Sequence, residues 1–408
     1  MEVLYARCAG LDVHKDQVTA CSRIAGDSKV AREVRVFQTT TSGLLALSEW
    51  LTEAACTHVA MEATGVYWKP VWHILEGAFE LVLANAQHVR NVPGRKSDVN
   101  DATWLADLLA HGLIRASFVP PTPVQELRDL TRTRKQLVRE VVQHTQRIQK
   151  TLEDANIKLD SVISNVLGTS GRAFLGALIA GETNPEKLVE LAHPRLQAGR
   201  SKLLEALRGR VTPHHRFLLK LHLDQIDSLE HAVRDLEARM GEALAPFREQ
   251  VAHLKTIPGV SDVVAQVIAA EISLDVSRFP TAAHLVSWAG LSPKLDESAG
   301  KRRSVRVRKG APWLKTTLVT AAWAAVRKKT GYLRTQFLRL KSRRGAKKAI
   351  LAVASSMVTA IYYMLRDHVP YRDLGADHFD HRDKARVAQR LIKRLADLGL
   401  KVEVHAPA

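Results

Sequence analysis

Apolar positions along residues 1–115 recur with two different periods. Tyr5 to Val13, Val18 to Ile24 and Glu33 to Gln38 read as three strands in series, the last two separated by the turn residues Gly26-Asp27-Ser28. Ser42 to Ala55 has helical spacing, with Ser42 placed as its cap. His58 to Met61 predicts a fourth strand that ends at Glu62. Tyr67 to Glu76 predicts a helix, and Leu81 to Leu83 a fifth strand. Ser97 then opens a helix carrying Asp98, Asp101, Leu105 and Leu108.

Three strands followed by a β-α-β-α order predicts an α/β domain on a mixed sheet, the order of the RNase H-like (RuvC-like) superfold. Pro120, Pro121 and Pro123 mark a boundary after it. From Val124 to about Ile157 the pattern becomes one long helix, with Leu127, Leu130, Leu137, Val141, Ile148 and Leu152 on a stripe. A second long helix is expected over His214 to Leu244. There Ile226, Leu229, Val233, Leu236 and Met240 alternate three and four apart, a coiled-coil seam. The two helices predict either an antiparallel hairpin or a contact between subunits. Residues 160–210 between them read as mostly helical.

Pro246 marks a further break, and residues 250–365 read as an all-α domain interrupted by a basic loop near 296–312. Ala349 to Leu365 is apolar, but its length and Ser355, Ser356 and Thr359 favour a buried helix over a membrane span. A charged tail follows, with an amphipathic helix near Lys384 to Leu398. The expected division is 1–118, 124–249, 250–366 and 367–408.

Composition and charge narrow the function. At 46% hydrophobic residues, 408 residues suffice for two or three cores. No stretch approaches the roughly 18 uninterrupted apolar residues of a membrane span. One early Arg followed by Asp12 is not the pattern of a signal peptide. A soluble, intracellular protein is the expectation. Cys8, Cys21 and Cys56 form no CxxC pair and read as small buried residues of a reducing compartment. The net charge of +18 points to a polyanionic partner, nucleic acid before an anionic membrane surface. Between Ala299 and Leu365 there are 17 Lys and Arg and no Asp or Glu, so the surplus sits almost wholly there.

Four carboxylates carry the candidate chemistry. Asp12 and Glu62 end strands, and Asp98 and Asp101 lie three apart on one helix face. In such a sheet, strand ends and the helices beside them converge at one edge. Clustered carboxylates repel one another unless a cation lies between them. Two Mg²⁺ or Mn²⁺ ions about 3.5–4 Å apart would resolve that and stabilise the attacking and leaving oxygens of a phosphoryl transfer. His14, Lys15 and Lys96 stand near these positions in sequence and are suited to offset phosphate charge.

Downstream, Ile257-Pro-Gly-Val260 has the form of a helix-hairpin-helix turn, in which Gly259 would let the backbone approach a phosphate. Such hairpins usually have a second glycine where this chain has Ser261. Ser298 sits among small residues before Lys301, Arg302, Arg303, Arg306, Arg308 and Lys309. These cations are suited to a scissile phosphate. A serine so placed can act as nucleophile, although by residue type alone a serine in a glycine-containing loop is ordinarily a turn residue. Trp323, Tyr332 and Phe337, interleaved with later cations, suit backbone binding with some stacking.

At these residues the chain resembles a known family, the insertion-sequence transposases now known as bridge-RNA-guided recombinases. Those proteins have a RuvC-like DEDD domain followed by a serine-bearing transposase domain. The resemblance rests on Gly10-Leu-Asp-Val-His-Lys15, Met61-Glu-Ala-Thr-Gly65, Lys96-Ser-Asp-Val-Asn-Asp-Ala102, Ile257-Pro-Gly-Val260, Trp288-Ala-Gly-Leu-Ser-Pro293 and Glu297-Ser-Ala-Gly-Lys301. It implies Asp12, Glu62, Asp98 and Asp101 as metal ligands for two Mg²⁺ or Mn²⁺ ions, and Ser298 as nucleophile. It also implies DNA as substrate at element ends and target, a structured bridge RNA that carries sequence specificity, and no membrane. A homodimer or homotetramer through residues 124–157 and 214–244, with active sites shared between subunits, is a family property. A prokaryotic cytoplasm, at the nucleoid, is the implied location. The residues alone leave two alternatives: a junction-resolving endonuclease that uses water, or a non-catalytic architectural DNA binder. The acidic quartet argues against the binder, which gains nothing from anions beside phosphate.

Overall fold

The computed structural model describes residues 2–26, 29–63, 65–84, 98–293, 297–298, 300–302, 307, 310–382 and 384–401; for 98–100, 297, 298, 301 and 302 it describes the backbone course alone. Two units result, Met1–Pro120 and Pro121–Ala408.

The first unit is built on a five-stranded sheet. Its strands are β1 (Arg7–Val13), β2 (Gln17–Ala25), β3 (Val30–Gln38), β4 (His58–Glu62) and β5 (Glu80–Ala84). The order is β3-β2-β1-β4-β5. β1 to β3 are antiparallel neighbours, while β4 and β5 join parallel to β1. This is the mixed sheet that the sequence order predicts. Helices α1 (Thr41–Glu53) and α2 (Trp68–Leu75) cover one face. There Leu11, Val13, Met61 and Leu83 pack on Leu44, Leu47, Trp50 and Leu75. The cap of α1 is Thr40 rather than Ser42, because the Thr40 hydroxyl accepts from Gly43 N at 3.2 Å. The expected turn at Asp27-Ser28 and the helix start at Ser97 lie outside the described residues.

Helix α3 (Asp98–Ala110) covers the opposite face. It crosses β1 at Gly10 with no side chain between the two backbones. A β-carbon on Gly10 would lie 2.2 Å from Ala102 O and 2.4 Å from Ala106 N. Three further contacts fix α3 in place. Asp107 accepts from buried Arg23 of β2 and from Arg32 of β3, both at 2.9 Å. Ala110 O accepts from Leu4 N at 2.8 Å. Cys8, Ala60 and Leu109 close the end of that layer.

The second unit begins with α4 (Thr122–Asp154). Four short helices follow: α5 (Leu159–Val162), α6 (Thr169–Ala180), α7 (Pro185–Glu190) and α8 (Arg200–Ala206). The chain then returns along α9 (Pro213–Ala243). Arg134 pairs with Glu237, His144 with His222 and Asp154 with His215, so position rises on α4 as it falls on α9. The two are an antiparallel hairpin within one chain. Its seam is unevenly covered: Ile226 and Met240 are buried, whereas Leu229, Val233 and Leu236 between them are half-buried. The short helices form a small core around Phe174, Leu175 and Leu188 against Ile148, Leu152 and Leu219.

The remaining helices are α10 (Arg248–Lys255), α11 (Asp262–Ile272), α12 (Ala282–Trp288), α13 (Pro312–Ala325), α14 (Tyr332–Arg344), α15 (Ala346–Asp367), α16 (His378–Arg382) and α17 (Lys384–Asp397). Among the described residues, α15 is the one helix long and apolar enough to span a membrane by length and composition. Its Ile350, Val353, Met357 and Ile361 are buried at the centre of this domain's core. A buried ion pair joins α4 to these helices. Glu271, 3% exposed, accepts from Arg132 at 2.8 and 2.9 Å, while Arg128 donates to the Ala270 and Glu271 carbonyls at the end of α11. No residue of α17 is buried.

Gly10→Ala is expected to destabilise the first unit by about 2–3 kcal/mol, since both clashing atoms are backbone and have no rotamer to yield. Thermal melting followed by circular dichroism measures this, and an unchanged midpoint would contradict the α3 contact.

Candidate active site

Asp12 and Glu62 leave the sheet side by side. Leu11 with Met61 is the last paired step between β1 and β4, so these two carboxylates come next on neighbouring parallel strands. Residues in register share a face, and adjacent strands lie about 4.8 Å apart. Side chains alternate along a strand, so Asp12 shares its face with Cys8 and Gly10, the face beneath α3. α3 runs against β1: Ala102 and Ala106 sit over Gly10, and Ala110 packs with Cys8. Its first turn, with Asp98 and Asp101, therefore lies toward the sheet edge where Asp12 and Glu62 emerge.

The Asp12 side chain is 14% exposed, and its Oδ2 lies 3.1 Å from His14 Nε2. Glu62 and Asp101 are half-buried. The Asp98 side chain lies outside the described residues. Among the described residues, no three His, Cys, Asp or Glu side chains converge as a ready metal cage. The donor chemistry still fits a hard divalent cation: the carboxylates at this edge offer oxygen and no sulfur. A cavity of about 450 Å³ lined by His14, Lys15, Asp16, Gln17 and Tyr67 opens beside Asp12 in the sequence. It places the cationic side chain of Lys15 and the ring of His14 in a space large enough for a phosphate group.

The cysteines are poor nucleophiles. Burial pushes the Cys8 thiol up to about 12 and the Cys56 thiol up to about 11, and raises Cys21 as well.

In the second unit Ser298 falls on a small hairpin. β6 (Glu297–Ser298) pairs antiparallel with β7 (Lys301–Arg302), Ser298 opposite Lys301. Gly300 takes φ +72° in the turn. Pro293 pairs with Val307 further down the same hairpin. The loop is closed at its base by two glycines. A β-carbon on Gly310 would lie 2.5 Å from Gly290 N, and Gly290 itself takes φ +71°. The side chains of Ser298, Lys301 and Arg302, and the whole of Arg303, Arg306, Arg308 and Lys309, lie outside the described residues.

The Ile257-Pro-Gly-Val260 turn does connect two helices, α10 and α11. Gly259, at φ +82°, faces α13: a β-carbon there would lie 2.3 Å from Ala321 O. The close approach that this glycine permits is thus to the chain's own helix. Ser261 caps α11, its hydroxyl accepting from Val264 N at 3.5 Å. Of the three interleaved aromatics, Trp323 is exposed and Phe337 buried beneath it, ring centres 5.6 Å apart. Tyr332 stacks on Phe379 of α16 at 5.1 Å.

Sequence reading missed Trp313, whose ring collects Arg132, Lys135 and Arg139. The available signal was cations three and four apart on one helix. It also missed the Arg23–Asp107–Arg32 group, which unites three distant segments and has no local signature.

Comparison with known proteins agrees with this architecture. Residues 9–157 match a family model described as a transposase, the DEDD domain of IS110 elements. Residues 251–338 match the transposase IS116/IS110/IS902 family. A protein of Streptomyces coelicolor described as the insertion element IS110 uncharacterized 43.6 kDa protein is 27% identical over 299 residues. The match covers 68% of this chain and 73% of that protein. Fold and matches define the class, a transposase whose RNase H-like DEDD domain precedes a second transposase domain. With both domains in that order, the chain is an insertion-sequence transposase of the IS110 family.

Gly310→Ala is expected to destabilise the second unit by about 2–3 kcal/mol, because backbone meets backbone at the loop base. Gly300→Ala, with open space around it, is expected to cost only about 1 kcal/mol from its positive φ. Paired melting curves check this, and equal effects would remove Gly310 as the clasp.

Proposed function

We propose that this transposase cuts and rejoins DNA through Ser298 and a metal-dependent acidic cluster, under the guidance of a structured bridge RNA. The observation that carries the acidic half is the register of β1 with β4, together with the direction of α3 across Gly10. Asp12, Glu62, Asp98 and Asp101 would hold Mg²⁺ or Mn²⁺, which when bound stabilises charge on the attacking and leaving oxygens. His14 orients Asp12 through their hydrogen bond.

Ser298 Oγ displaces one ester oxygen of the scissile phosphodiester. A phosphoserine ester forms, the phosphorus–oxygen bond to the leaving strand breaks, and that strand departs as a hydroxyl carrying the proton. Attack by the hydroxyl of another strand reverses the step and frees the serine. Lys301, Arg302, Arg303, Arg306, Arg308 and Lys309 hold the phosphate whose charge grows in the transition state. The 17 cations between Ala299 and Leu365 suit a nucleic-acid backbone, in keeping with specificity carried by base pairing to an RNA.

The hairpin of α4 and α9 would pair with a second copy as a homodimer or homotetramer. Val142, 51% exposed, and Phe217, 65% exposed, are apolar surface that such pairing would cover. Action on DNA places the protein in the cytoplasm.

Asp12→Asn is expected to lower Mg²⁺-dependent strand cutting by a factor on the order of 10²–10³, the scale of losing one transition-state contact. Ser298→Ala is expected to abolish the covalent protein–DNA species seen on denaturing gels, and joining with it. Persistent joining in Ser298→Ala would make water the nucleophile and overturn the serine assignment.

A further inference from the structure

The cleft between α4, α11 and α13 holds more positive charge than the one carboxylate acting on it, Glu271, balances among the described residues. Arg132, Lys135 and Arg139 lie three and four apart on one face of α4. Their charged groups stand 5.7, 5.3 and 5.7 Å from the centre of the Trp313 ring, at the start of α13. Arg132 is committed to Glu271, and Arg134 beside it to Glu237. Lys135 and Arg139 remain. Lys135 Nζ donates to the neutral hydroxyl of Thr316 at 2.6 Å. Neither Lys135 nor Arg139 has an ion-pair partner among the described residues.

Both cations line a cavity of about 270 Å³ whose floor is Met240, Val263 and Val267. Burial, and then the neighbouring Arg139, lower the Lys135 pKa. The half-buried Lys135 ammonium beside the exposed Arg139 costs free energy that an anion at the same point would offset. Trp313 holds the pair in position through its ring face, so the site is set before any ligand arrives. The cavity is too small for a duplex and suits a single phosphate with its sugar.

We infer that Lys135 and Arg139, positioned by Trp313, bind a phosphodiester group of a nucleic-acid strand, using residues that belong neither to the acidic quartet nor to the Ser298 hairpin. The choice of ligand rests on the transposase reading. The site does not take part in bond breaking, so it is measured by binding alone.

The test uses the full chain in metal-free buffer with chelator, where no cutting occurs. Fluorescence anisotropy of short labelled RNA and DNA single strands of one sequence is followed over a salt series. The variant Lys135→Gln/Arg139→Gln is compared with Lys202→Gln/Arg234→Gln, which removes the same charge from exposed positions. The cleft variant is expected to bind roughly tenfold more weakly and to flatten the slope of log K against log salt by about 1.4, two single-strand contacts at about 0.7 each. Loss with RNA only assigns the cleft to an RNA strand, and loss with DNA only to DNA. If the double variant melts early, Arg139→Gln alone, at an exposed position, carries the test with half the change in slope. A cleft variant no weaker than the surface control overturns the inference. So does loss of self-association with nucleic-acid affinity intact, which would give the cations to a carboxylate of a second copy. Since cutting is never measured, failure of the Ser298 chemistry leaves this result untouched.

Discussion

The first unit depends on one contact, the crossing of α3 over β1 at Gly10. A helix normally rides on a sheet through a layer of side chains, which leaves its ends free to shift. Here the α3 backbone rests directly on the strand, with Ala102 and Ala106 on either side of the missing β-carbon. Van der Waals contact between backbones is steep in distance, so the helix has little freedom to slide. Asp107, gripped by Arg23 and Arg32, prevents it from rolling. The direction and height of the α3 N-terminal turn are therefore consequences of Gly10, two residues before Asp12 on the same strand face.

The second unit uses the same device with another purpose. Gly290 and Gly310 meet backbone to backbone, so the chain leaves and re-enters the helical core at a single point around the Ser298 hairpin. Gly259 does likewise between the α10–α11 turn and α13. Close glycine contacts thus fix the loop that carries Ser298 and the α10–α11 turn against the helical core. The arginines of α4 that reach the end of α11 join the long hairpin to this core. A movement of the hairpin would be felt by α11, and α13 lies across the same cleft.

Much of this was legible in the chain. Short apolar runs bounded by turn residues marked all five strands; β1 and β2 are buried on both faces and the edge strand β3 has no buried residue. Long three-four stripes gave α4 and α9. The pairing of those helices within one chain was not legible, since a half-covered seam has the same pattern whether its partner lies in the same chain or another. Asp12 and Glu62 could be selected because strand ends are recognisable, but only the register puts them level. The packing of Gly259 on α13 was not legible either: a glycine that admits a phosphate and one that admits a helix backbone look identical in sequence. Trp313 was missed because its partners lie some 180 positions earlier, on α4, in contacts such as Lys135 to Thr316.

The arrangement at the acidic edge gives the account its enzymatic content, and anomalous diffraction from crystals soaked in Mn²⁺ addresses it directly. Peaks are expected about 2.1 Å from carboxylate oxygens of Asp12, Glu62 and the first turn of α3. Manganese bound only elsewhere, or no peak at that edge with the protein otherwise intact, would contradict it.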